Sequence, residues 1–132
     1  MARVLVIEDE RSIAMVLRLA LGEEGHEVIT AGDGRSGFEQ LINNTPDVVL
    51  LDLVLPQMNG KSVVEKMRNS EQLRNIPVII ISGSMPTSDV LPPQGSYNAF
   101  IGKPFDLAEV LATVEELIQE NRYKTECISV AG

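Results

Sequence analysis

The sequence predicts an α/β fold, a three-layer doubly wound sandwich built on a five-stranded parallel sheet. Three observations predict it. Short runs such as Arg3–Ile7 and Asp47–Leu51 are apolar almost throughout, as strands buried on both faces must be. Other segments repeat apolar residues at three- and four-residue spacing, one face of a helix. The two kinds alternate along the chain, and right-handed crossovers then place helices on both faces of a parallel sheet.

The first strand is Arg3–Ile7, followed by a helix over Arg11–Leu21 whose apolar face is Ile13, Val16, Leu17 and Ala20. Gly22 and Gly25 are expected to close it. Glu27–Ala31 is a second strand, and Asp33-Gly34 turns into a helix carrying Phe38, Leu41 and Ile42. Asp47–Leu51 is the third strand, and the helix after Asn59-Gly60 buries Val63, Val64 and Met67. Ile76–Ile81 is the fourth strand and Ala99–Ile101 the fifth. The last helix, from Leu107 to about Asn121, has Val110, Leu111, Val114, Leu117 and Ile118 in register, with Asp106 as its N-cap. Residues 122–132 read as a C-terminal tail or linker after a single domain over 1–121.

At 132 residues with 44% hydrophobic side chains and no Trp, the core must be aliphatic. The net charge of -8 repels phosphate backbones, and no Lys/Arg cluster offsets it, so direct nucleic-acid binding is disfavoured. Cys127 is the lone cysteine, which excludes an internal disulfide and fits no zinc-ligand spacing. No apolar run is long enough to be a signal peptide or a membrane span, so a cytoplasmic protein is expected. His26, between Gly25 and Glu27, reads as a solvated turn residue.

Ligand sites of such sheets lie beyond the carboxyl ends of the strands. There the chain places Glu8-Asp9 after strand one, Asp52 after strand three, Ser82 after strand four and Lys103-Pro104 after strand five. Two carboxylates about 4 Å apart repel by roughly 4 kcal/mol at an effective dielectric near 20. Acids so collected call for a shared cation, and Mg²⁺, which takes carboxylate, carbonyl and water oxygens, is the natural one. Lys103 would balance part of the remaining charge.

In order and approximate spacing, Glu8-Asp9, Asp52, Ser82 and Lys103-Pro104-Phe105 resemble the motif set of response-regulator receiver domains. The stretch from Asp52 through Pro56 to Gly60 reproduces that family's Asp-x-x-x-Pro-x-x-x-Gly loop. The resemblance covers about residues 2–121 and implies a flavodoxin-like strand order 2-1-3-4-5. It implies a phosphoryl group accepted on Asp52 from a histidine kinase or phosphotransfer protein. Mg²⁺ would be held by Asp9 directly, by Glu8 through water, by Asp52 and by the backbone carbonyl of Val54. Lys103 would contact the phosphoryl group, while Ser82 and Phe100 match the two switch positions, a hydroxyl drawn to the phosphate and a ring that changes rotamer. The implied activity is Mg²⁺-dependent phosphotransfer with autodephosphorylation, a signalling switch and not a metabolic enzyme. Its readers would be a downstream effector protein or a fused output domain, with homodimerisation left open.

The chain departs from that family between Ser82 and Lys103. Pro86 fits a first helical turn, but Pro92-Pro93 must end any helix, so a shortened or irregular fourth helix is expected there. We expect a mobile loop over 83–95, with recognition leaning on the last helix, and a cis peptide at Lys103-Pro104. The competing reading is a pseudo-receiver, a phosphorylation-independent protein-binding module. A metal-dependent Asp-x-Asp phosphatase fails at Val54, where its second aspartate should stand. A nucleotide-binding protein fails for want of a Gly-x-x-x-x-Gly-Lys loop.

Overall fold

A computed structural model describes residues 2–83 and 91–131, with side chains described through Asn121. The strands are β1 (Arg3–Ile7), β2 (Glu27–Ala31), β3 (Val48–Asp52), β4 (Val78–Ser82) and β5 (Ala99–Gly102). The helices are α1 (Arg11–Glu23), α2 (Gly34–Asn44), α3 (Gly60–Arg68) and α4 (Leu107–Ala131). All strand pairs are parallel, in the order β2-β1-β3-β4-β5, so the expected doubly wound sheet is present.

Alternate residues of each strand feed opposite faces of the sheet. Val4, Val6, Val48, Leu50, Ile79 and Ile81 pack with Leu17 and Leu21 of α1 and Val110, Val114 and Ile118 of α4. Leu5, Ile7, Val49, Leu51, Val78 and Ile80 pack with Leu41 of α2 and Val63, Val64 and Met67 of α3. The three central strands are therefore apolar on both sides, as their unbroken Val/Ile/Leu runs require.

The helix ends follow from local chemistry. Asp33 caps α2 by accepting the Ser36 N–H at 2.7 Å, and Asn59 caps α3 by accepting the Ser62 N–H at 2.9 Å. Asp106 accepts the Ala108 N–H at 2.9 Å, the expected N-cap of α4. Gly22 lies inside α1, and it is Gly25, at φ 91°, that closes the helix. The N–H of His26 bonds the Leu21 carbonyl and that of Gly25 the Gly22 carbonyl, a pairing that needs a left-handed residue at Gly25.

Several expectations are corrected. Val16 and Ile42, read as core-facing, are 47% and 45% exposed, because the buried stripes of α1 and α2 are narrower than their apolar periodicity. Helix α4 runs on to Ala131 instead of stopping near Asn121. His26 is no solvated turn residue: its side chain is 6% exposed, Nδ1 accepts the Ala2 N–H at 3.3 Å, and Nε2 lies 3.5 Å from Glu115 of α4. Of the segment expected to be a loop, residues 84–90 lie outside the described residues, and residues 91–95 form no helix. Among the described residues no helix is long and apolar enough to cross a membrane.

Arg68, at the end of α3, ties down the approach to β4 and β5. Its Nε donates to the Ser96 carbonyl at 2.7 Å, and Nη1 donates to the carbonyls of Arg74 and Ile76 at 2.7 and 3.0 Å. Burial pulls the guanidinium pKa downward, the signature of a charge taken out of water to serve backbone oxygens. Arg68→Met should therefore cost on the order of 3 kcal/mol in urea unfolding, since charge-assisted bonds are lost and carbonyls are stranded. A loss below about 1 kcal/mol would show those carbonyls find other partners.

Candidate functional site

Sheet register assembles the site. Ile7 pairs with Leu51 on one side and Ala31 on the other, so Glu8 leaves β1 next to Asp52, the last residue of β3. Asp52 pairs with Ile81 and Ser82 with Gly102, which brings β4 and β5 to the same edge. Lys103 follows directly, with its N–H donating to the Ser82 carbonyl at 2.7 Å. The Lys103–Pro104 peptide is cis, as expected from the sequence.

Glu8, Asp52 and Ser82 are the buried polar or charged residues among those described, at 5%, 7% and 4% exposure in an otherwise apolar interior. Lys103 Nζ bridges the acids, donating to Glu8 Oε1 at 2.7 Å and to Asp52 Oδ2 at 3.1 Å. Asp52 Oδ1 accepts the Val54 N–H at 3.1 Å. Asp9 is exposed, yet one oxygen from each of Glu8, Asp9 and Asp52 lies within 4.8 Å of the others.

The electrostatics are those of an acid cluster short of positive charge. Burial, then the hydrogen bond to Asp52, pushes the Glu8 carboxyl up to about 8, against the pull of Lys103, with the Asp52 charge adding to the rise. Burial pulls the Lys103 ammonium down, but its bonds to Glu8 and Asp52 and their charges outweigh that and hold it above its ordinary value. Glu8 Oε2 is buried with no hydrogen-bond partner. A buried carboxylate oxygen left bare, with two further acids in reach, fits a hard divalent cation with oxygen ligands.

Val54 is 67% exposed on the loop after Asp52. Phe100 lies on β5, paired with Ile80 and 39% exposed. Sequence reasoning missed the Lys103–Glu8 pair, because the partners stand 95 residues apart and only the sheet brings them together. It also read Asp33-Gly34 as a turn alone, without its contact to the loop after Asp52.

Over residues 4–115 the chain matches the family model of the response regulator receiver domain. It belongs to that family, the receiver domains of two-component systems. It is similar, at 34% identity over 134 residues, to the response regulator ArlR of Staphylococcus aureus, covering 100% of this chain and 59% of that protein. The chain thus spans little more than half the length of the curated relatives it matches. The receiver domain of the Francisella response regulator 1452 superposes with a TM-score of 0.82 at 27% identity, over 91% of this chain and 98% of that one. A CheY-like receiver domain protein of Methanospirillum hungatei shares the fold, with a TM-score of 0.86 at 23% identity over 94% and 98% of the two chains.

Proposed function

We propose that this receiver domain accepts a phosphoryl group on Asp52 in a Mg²⁺-dependent reaction and so acts as a phosphorylation-controlled switch. The observation that carries the reading is the buried Glu8–Asp52–Lys103 cluster with Asp9 in reach, an arrangement no core would keep for stability alone. The carboxylates of Glu8, Asp9 and Asp52 and the carbonyl of Val54 would hold the ion. Bound there, Mg²⁺ would neutralise charge developing on the phosphoryl oxygens.

A carboxylate oxygen of Asp52 attacks phosphorus as the bond to the donor's histidine nitrogen breaks, leaving an acyl phosphate on the protein. Lys103, freed from its bond to Asp52, meets the phosphoryl oxygens as a compact cation. The product adds about 1.5 to 2 negative charges, which draws the Ser82 hydroxyl inward and lets Phe100 turn from its half-exposed position. The donor would be a histidine kinase or phosphotransfer protein, and the reader an effector protein, a fused output domain or a second copy.

The test is incubation with Mg²⁺ and a small acyl phosphate, read by intact mass. One added phosphoryl group, absent in Asp52→Asn and in a metal-free sample, is the expected result. No addition despite Mg²⁺ binding would leave a phosphorylation-independent binding module.

A further inference from the structure

We propose that Gly34, the first residue of α2, is a positioning residue for the loop between Asp52 and Gly60, bracing it for metal binding and phosphoryl acceptance. The inference rests on the function proposed above. The Gly34 N–H donates to the Pro56 carbonyl at 3.2 Å, and the same carbonyl takes the Met58 N–H at 2.8 Å. Gly34 is buried against this turn: a methyl group placed on it would lie 1.6 Å from the Met58 carbonyl oxygen and 2.5 Å from its carbon. Both atoms are backbone, so no side-chain rotation relieves the overlap. Either α2 or the loop must move.

Helix α2 is the less free of the two. Asp33 fixes its first turn through Ser36, and a methyl group on Gly37 would lie 2.5 Å from Ile7 Cδ1, one residue before Glu8. The loop therefore gives way. Its far end is also held: the Gly60 N–H donates to the Leu53 carbonyl at 3.0 Å, and a methyl group on Gly60 would lie 2.6 Å from the Asp52 carbonyl oxygen. Within it Gln57 adopts φ 70°, a left-handed conformation uncommon for a residue with a side chain. A push at Met58 in a segment pinned at Leu53 and Gly60 is passed to Val54, whose N–H holds Asp52 Oδ1. The absent side chain of Gly34 thus fixes the loop that orients the acceptor carboxylate.

The experiment compares wild type, Gly34→Ala and Gly32→Ala, the last because a methyl group there meets nothing within 4 Å. Mg²⁺ affinity is measured calorimetrically at a temperature where circular dichroism shows each protein folded, alongside the rate of phosphoryl incorporation from the small acyl phosphate. Gly34→Ala should bind Mg²⁺ about 10-fold or more weakly and label more slowly, the range expected when a group supporting metal ligands is disturbed, while Gly32→Ala matches wild type. A lowered melting temperature with unchanged Mg²⁺ affinity would reduce Gly34 to a packing residue and overturn the proposal. Should Gly34→Ala fail to fold, wild-type amide exchange decides. If the brace positions the loop for Mg²⁺, Mg²⁺ must in return slow exchange at Gly34 and Met58, and unchanged exchange there overturns it. Wild type that binds no Mg²⁺ would instead sink the functional reading itself, and this inference with it.

Discussion

Lys103→Met should slow phosphoryl incorporation by about 10²- to 10³-fold and, in the same protein, tighten Mg²⁺ binding. The first effect follows from its place in the cluster. Its ammonium is in contact with Asp52 Oδ2 and also donates to Glu8 Oε1, so it sits between the two buried acids. Removing it takes away the protein's charge from where the transferred group's negative oxygens must lie. The second effect has the opposite sign because Nζ now occupies oxygens of Glu8 and Asp52 that a metal ion would share. Methionine fills similar volume, so the packing loss is small while the charge is lost completely. Stopped-flow labelling and Mg²⁺ calorimetry on one preparation separate the two. A parallel fall in rate and in Mg²⁺ affinity would mean that Lys103 acts mainly by holding the site's shape.

How far the site could be read from the sequence depended on whether its signal was local. The five strands lie within two residues of their expected bounds, and β1 and β2 match them, because short β-branched or apolar-rich runs between polar turns leave little freedom. The start of β4 shifted from Ile76 to Val78 since Pro77 has no N–H for the sheet ladder. Glu8, Asp9, Asp52, Ser82 and Lys103 could be named because each ends a strand or lies within two residues of its end, and parallel order then forces them to one edge. Their pairing could not: which carboxylate Lys103 reaches is set by register between strands far apart in the chain. His26 reads as solvated for a related reason, as its turn looks polar locally while its buried ring meets Ala2 and Glu115, residues far away in the chain. Helix α4 outran its expected end because residues 122–131 contain no Gly or Pro to stop it. The Gly34–Met58 contact left no trace beyond a turn dipeptide, since close approach leaves no periodicity.

Metal-free protein should lose stability as pH rises from about 4.5 to about 8, and Glu8→Gln should remove that loss. The folded carboxyl titrates near 8 where the ordinary value is 4.5, so between those values the folded chain holds a proton that the unfolded chain has released. Unfolding then releases a proton, and stability falls by up to about 1.4 kcal/mol per pH unit across the window, levelling off above it. Lys103 does not mask the slope. Its upward shift contributes stability present below its ordinary value of 10.5 and lost only as pH climbs through its higher folded value. Urea unfolding in chelator from pH 5 to 9, wild type minus Glu8→Gln, isolates the group, and identical slopes in the two proteins would refute the shift. Mg²⁺ reverses the sign. Binding must expel the Glu8 proton, so affinity should rise by up to about tenfold per pH unit below 8 and then flatten. Saturating Mg²⁺ should accordingly stabilise the domain most at the alkaline end, where Glu8 has already given up its proton.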